Sequence, residues 1–321
     1  MKKPDELEII KAFQKTLGNK NFMPEDVELF RIGKANIIAK VDTLVQSTDI
    51  PSKMSLGDAA RKSVVACVSD FAAKGVKPRF GIISVNLPDG ISMDTVNEIA
   101  RGFKRASREF GVDILGGDTN QGKEIVFTVC LFGEAEKTVR RKGAKAGDLI
   151  FVTGPFGYTA AGLDILLKDS NSEGSFSKRA VKSVTMPNPR LEFGIKGKEL
   201  LSSSMDSSDG LSTTLNQMAR QSRCRFVVSS VPSKKEVETF SRVRKKNYES
   251  MVFHAGEEYE IVFTVPKKFK SRVIKVAKAT KTPIIEIGSV LKGKGVFVEN
   301  EQGSVKLEDL GYRHLKQTSS E

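Results

Sequence analysis

Apolar and polar positions alternate along this chain with two clear periods. Residues 57–75 carry Ala59, Ala60, Cys67, Val68, Phe71 and Ala72 at helical spacing, which predicts a long buried helix. Residues 93–110 place Met93, Val96, Ile99, Ala100, Phe103 and Phe110 on one face, and Gly111 follows as a stop, predicting an amphipathic helix that packs on a core. A shorter amphipathic helix is expected over 3–18, and strands over 36–45 and 80–87, with the turn LPDG after the latter. The run IVFTVCLF at 125–132 is apolar on both faces, which predicts a central strand. A short VDIL leads into GGDT, read as a loop.

The segment 133–147 is polar and glycine-punctuated, and reads as the link between two domains, divided as 1–137 and 138–321. Beyond it the pattern predicts a strand at DLIFVTG, a helix over 158–168, a helix from Pro189 to about 201, a loop at SMDSSDGL and a helix over 211–222. Strands at 225–230, 259–265, 283–291 and 295–299, with a helix at 267–280, complete an α/β unit. The Ser-rich stretch 169–188 reads as a mobile insertion. No internal repeat stands out.

The 321 residues are enough for two cores. No 18-residue apolar run exists, and MKKPDELEII places acids and a proline where a signal peptide needs an apolar stretch. Three scattered cysteines, without any CxxC, exclude a disulfide scaffold and a structural zinc site, and point to the cytoplasm. The net charge of +13 is uneven: 24 bases face 20 acids through residue 150, and 28 face 19 after it. Such a balance suits anionic metabolites or nucleic acid. The lysine and arginine runs near 234–246 and 267–281 lack interleaved aromatics, which argues against nucleic acid as the main partner.

Only His254 and His314 exist; their neighbours suggest no Ser–His–acid arrangement, and a HExxH or His-rich metal site is excluded. Aspartates carry more information. Asp42 lies in an apolar strand and Asp70 in an apolar helix, whereas Asp26, Asp118, Asp206 and Asp209 fall in PEDVELF, GGDT and MDSSDG. A surface acid needs no explanation, and Asp206 or Asp209 could cap the following helix. A buried carboxylate must be paired or metal-bound. Oxygen ligands without thiolate or imidazole favour Mg²⁺, and Mg²⁺ among carboxylates favours phosphate chemistry. Neither GxxxxGK[ST] nor GxGxxG occurs. The glycine-rich GPFGYTAAG suits either a tight strand-to-helix turn or a ligand loop, while the two glycines of GGDT let backbone approach a phosphate.

The blocks VDTLV, VSDFAAKGVKP, GGDT, RRKGAKAGDLIFVTGPFGYTAAGL, MDSSDGL, HAGEEYEIVFT and GYRHL, in that order from residue 42 to 315, resemble the thiamine-monophosphate kinase family. That family sits within the superfamily of aminoimidazole ribonucleotide synthetase and selenophosphate synthetase. The resemblance implies an N-terminal α/β sheet domain that binds ATP and Mg²⁺ and forms a dimeric barrel, plus a C-terminal α/β domain. It implies a homodimer that transfers the γ-phosphoryl of ATP to thiamine monophosphate. Asp26, Asp42, Asp70, Asp118, Asp206 and Asp209 fall on family Mg²⁺ ligands. Gly117, Asp118, Arg141 and Ser208 fall on ATP contacts, with Asp118, Arg141 and Asp209 at the transfer itself. Asp49, Glu257 and Tyr312 fall on substrate contacts, Tyr312 as an aromatic beside the cationic thiazolium.

The chain departs from the family pattern at several points. Glu25 replaces the first acid of the N-terminal block, Lys40-Val41 replaces a hydroxyl pair, and Asp49 replaces a histidine. Arg101 replaces a tyrosine, and GEEYEI stands for GEDYEL. Rival readings are a purine-precursor synthetase of the same superfamily and a basic nucleic-acid-binding protein on the same fold. Selenophosphate synthesis needs an N-terminal reactive cysteine, and the first here is Cys67, inside an apolar helix.

Overall fold

The computed structural model describes residues 4–18, 24–168, 174–301 and 303–314. A first helix, α1 (Glu6–Thr16), precedes a five-stranded sheet made of β1 (Glu28–Ile32), β2 (Ala35–Val45), β3 (Pro78–Pro88), β4 (Asp113–Gly122) and β5 (Val126–Glu134). The strand order is β1-β2-β5-β3-β4, so β5 is central. All neighbours are antiparallel except β3 and β4. The short α2 (Gln46–Asp49) and the long α3 (Leu56–Ala73) lie between β2 and β3, and α4 (Met93–Phe110) makes the parallel crossover to β4.

Residues 135–147 hold neither helix nor strand and lead to the second sheet. Its strands are β6 (Asp148–Val152), β7 (Ser203–Ser207), β8 (Arg225–Val228), β9 (Glu260–Pro266), β10 (Ile285–Leu291), β11 (Gly295–Asn300) and β12 (Gly303–Lys306). They run in the order β12-β11-β8-β10-β6-β9-β7. The helices of this half are α5 (Tyr158–Leu167), α6 (Ser175–Thr185), α7 (Leu191–Gly197), α8 (Leu211–Ser222), α9 (Lys235–Val243) and α10 (Lys270–Ala279).

The α3 helix organises the molecule. Ser55 caps it by accepting from the Asp58 amide at 3.0 Å. Small side chains let it sink under β2 and β5 while touching α4, α7, β7 and β9. Its crossing with α4 requires Gly102, where a Cβ would stand 2.1 Å from the Gly57 carbonyl oxygen. On α4, Ser92 caps the start and Gly111, at φ 64°, ends the helix as its position suggested.

Several elements differ from the sequence reading. The Ser-rich stretch is not an open insertion: α6 occupies Ser175–Thr185 and buries Ser177, Ala180 and Val184. The apolar residues Phe176, Ala180, Val181 and Val184 recur at helical spacing, and this outweighs the serine content; residues 169–173 of that stretch lie outside the described residues. The first half of SMDSSDGL is a strand, β7, fully buried at the sheet edge against β9. Its serines look polar in sequence, yet all three are buried; Ser203 Oγ bonds Thr264 Oγ1 at 2.7 Å, while the Ser204 and Ser207 hydroxyls find no partner among the described residues. GGDT lies within β4, and α7 starts at Leu191 because Arg190 takes φ 56°. The elements β1, α9 and β12 are not among those expected from the sequence, although Val237 and Phe240 of α9 stand at helical spacing. Among the described residues no helix is long and apolar enough to cross a membrane.

Candidate active site

Asp70 projects from the last turns of α3, Asp206 from β7 and Asp26 from the approach to β1. They are 5%, 3% and 3% exposed. One oxygen from each lies within 4.8 Å of the others. Ser69, beside Asp70, donates its hydroxyl to Asp206 Oδ2 at 3.0 Å. The same helix carries Lys74 one turn on, which reaches Asp26 at 2.7 Å and Glu25 at 3.0 Å. Arg141 comes from the inter-sheet segment. Its Nε donates to Asp26 Oδ1 at 2.5 Å, its Nη1 to Gln217 Oε1 at 2.5 Å and its backbone amide to Glu25 at 3.1 Å. Lys40 on β2 stands 3.0 Å from Asp70 and 3.8 Å from Asp42.

These neighbours split the acids. Burial opposes ionisation of Asp26, but Lys74 and Arg141 outweigh it and hold the carboxyl below its usual value. Burial pushes Asp70 well up even though Lys40 pulls it down, and Asp206 adds repulsion. Burial and the charge of Asp26 raise Asp206 to about 6. Burial likewise raises Asp209 to about 6. For Lys40, burial works against the charge, but Asp70 and Asp42 hold its pKa above that of an ordinary lysine. The cluster therefore holds more negative charge than its own cations satisfy.

The six candidate metal-ligand aspartates do not all converge within the chain. Asp42 is bridged to the cluster through Lys40. Asp118 is exposed on the edge strand β4 and accepts from Asn120 Nδ2 at 2.6 Å. Three strand spacings separate β4 from β2, about 14 Å. Asp118 also shares a register line with Ser84, Thr128 and Thr43, one step from the line of Gly117, Ile83, Val129 and Asp42, so it belongs to the opposite sheet face. Gly117 is held tightly on the helix side: a Cβ there would stand 1.6 Å from the Ile83 carbonyl oxygen.

A second group forms at the loop after β7. The Ser208 carbonyl accepts from the Glu257 amide at 2.6 Å, and the Asp209 carbonyl from the Tyr312 amide at 2.9 Å. Ser208, Asp209, Glu257 and the half-exposed Tyr312 are thereby gathered. Lys62, fully buried on α3, pairs with Glu257 at 2.5 Å and donates to the Asp49 carbonyl at 3.2 Å. It links two candidate substrate contacts from opposite halves of the chain. The sequence reading missed Lys62 and Lys74 and took Lys40 only as a lost hydroxyl. A lysine in an apolar helix carries the same signal as an aspartate there, because an ammonium is equally costly to bury unpaired.

Models of AIR synthase related proteins match both halves, the N-terminal domain over residues 24–135 and the C-terminal domain over 145–300. A thiamine-monophosphate kinase of Nitrosopumilus maritimus is 60% identical over 316 residues, covering 98% of this chain and all of that one. The chain belongs to the thiamine-monophosphate kinase family. Its relative from Pyrococcus horikoshii is 32% identical, with 98% of each chain covered. Among solved structures, AaThiL complexed with AMPPCP and TMP superposes with a TM-score of 0.86 at 27% identity, over 97% of both chains. The Aquifex aeolicus thiamine monophosphate kinase gives 0.82 at 27% identity, over 94% of this chain and 98% of that one.

Proposed function

We propose that this protein transfers the γ-phosphoryl group of ATP directly, in line, to the phosphate of thiamine monophosphate, giving thiamine diphosphate and ADP in the cytoplasm. The observation that carries this reading is the buried Asp26–Asp70–Asp206 cluster beside Arg141, in a chain of this kinase family. The acceptor phosphate is largely ionised near neutral pH, its second pKa being about 6. The reaction needs no general base, which fits a cluster without histidine. The protein's task is to hold two polyanions together and neutralise charge as it moves.

The cluster fits Mg²⁺: its donors are all carboxylate oxygens, and burial, with the repulsion of neighbouring carboxylates added, raises the pKa values of Asp70 and Asp206. Asp26, Asp70 and Asp206 would hold the ion, with Asp42 and Asp209 nearby. Bound there, it supplies charge neutralisation for the transferring phosphoryl. Arg141, pinned by Asp26 and Gln217, keeps its guanidinium oriented toward ATP phosphates. Ser208 and Gly117 supply nucleotide contacts. Glu257 and Asp49, tied through Lys62, and the Tyr312 ring receive the thiamine portion.

A homodimer accounts for the uncovered face of the first sheet. Val41, Phe80 and Ile82 are 57%, 45% and 44% exposed there, on the side away from α3. Pairing two such faces removes apolar area from water and sets Asp118 against a second copy. The test is purified protein with ATP, Mg²⁺ and thiamine monophosphate, with free thiamine and aminoimidazole precursors as competing acceptors and mass spectrometry of products. Thiamine diphosphate is expected from the monophosphate alone. Turnover of an aminoimidazole precursor instead, or no diphosphate across Mg²⁺ and pH, overturns the reading.

A further inference from the structure

We propose that Lys40 is a built-in cation of the phosphate-transfer site, its ammonium standing between Asp42 and Asp70 where a divalent ion would otherwise be required. This deepens the kinase reading above and rests on it. Lys40 and Asp42 are two residues apart on β2, so they share a face. Their cross-strand partners Leu131 and Val129 are buried beneath α3, whereas Val41 between them points to the uncovered face. The lysine side chain is 25% exposed, and its Nζ reaches Asp70 Oδ2 at 3.0 Å and Asp42 Oδ2 at 3.8 Å. The other Asp42 oxygen accepts from the Thr43 amide at 2.8 Å.

Charge matching gives the consequence. Lys74 and Arg141 already answer Glu25 and Asp26. Among the described ion pairs, Asp42 and Asp70 are left with Lys40 alone and Asp206 takes part in none, its carboxylate accepting only the Ser69 hydroxyl. With its ammonium these three carboxylates carry two net negative charges when ionised, which one divalent ion cancels. Without it they carry three, and one such ion no longer suffices. A tethered ammonium is also never lost to solution, so part of the positive charge facing the phosphates is independent of Mg²⁺ concentration.

The experiment counts bound Mn²⁺ on the full chain with AMPPCP, through loss of the free-ion EPR signal. It compares wild type with Lys40→Thr, Lys40→Met and Lys40→Arg. The Thr and Met variants are expected to bind one more Mn²⁺ per chain than wild type, and the Arg variant the same number. Equal counts in all four proteins overturn the proposal, as does a gain in the Arg variant. If the Thr and Met variants lose their fold without metal, Mn²⁺ must restore it; failure to do so also overturns the proposal. Wild-type turnover is measured alongside: no thiamine diphosphate with the expected counts removes the kinase reading, whereas intact turnover with equal counts removes only the role of Lys40.

Discussion

Replacing Asp206 with Asn should stabilise the metal-free protein at pH 8 and weaken its response to Mg²⁺ with nucleotide. Asp206 is 3% exposed, and burial with the charge of Asp26 raises its pKa from 3.8 to about 6. At about 1.36 kcal/mol per unit, holding it ionised costs the folded state about 3 kcal/mol. The sign follows from the raised value: no penalty applies below the unfolded pKa of 3.8, the penalty grows as pH rises, and it is complete above about 6. Asn keeps the shape, and its carbonyl can still accept the Ser69 hydroxyl that now lies 3.0 Å from the carboxylate. With an unfolding entropy of about 2.1 cal/mol/K per residue, the gain in Tm at pH 8 is about 4 °C. The assay is a set of thermal melts in chelator from pH 4 to 8, repeated with Mg²⁺ and AMPPCP. Wild type should gain more from the ligand than the variant, because a ligand bound only by the native state stabilises it. Equal melting in chelator at pH 8, or a variant gain that does not shrink as the pH falls through 6, refutes the reasoning.

Asp70→Asn should keep the fold but lower turnover at least about tenfold, or about 1.4 kcal/mol of barrier; near-normal kcat at saturating Mg²⁺ would make Asp70 structural only. Gly117→Ala should lower the melting temperature, since its Cβ would meet the Ile83 carbonyl at 1.6 Å, whereas Gly116→Ala has nothing within 4 Å and should stay within about 0.5 kcal/mol of wild type. Equal melts for the two variants would contradict that strand geometry. Lys62→Met should raise KM for thiamine monophosphate more than KM for ATP, because it frees Glu257 and the Asp49 carbonyl together, and Lys62→Arg should recover part of the loss. A lower Tm with both KM values unchanged would assign Lys62 to packing alone.

Local chemistry made much of the scaffold legible. The α4 helix could be read from its apolar face and its stop at Gly111, because periodicity and end signals act within a few turns of chain. The central place of β5 followed from an apolar run on both faces. Asp70 stood out because a carboxylate in an apolar helix demands a partner. Which partners it meets was not written locally. Asp26, Asp70 and Asp206 converge because α3 lies between the two sheets and β7 takes the edge beside β9. Asp118 sits in an equally suggestive motif, yet strand order and register leave it on the other face of its sheet. The buried strand β7 was hidden by its serines, small enough to be buried in a sheet, with Ser203 bonded to Thr264, and α6 by serines around its apolar stripe. Lys40, Lys62 and Lys74 took on meaning only through acids distant in the chain. Sequence spacing fixes which side chains share a face of one element. Long-range strand pairing and helix burial decide which faces meet, and the charge balance of the site exists only after they do.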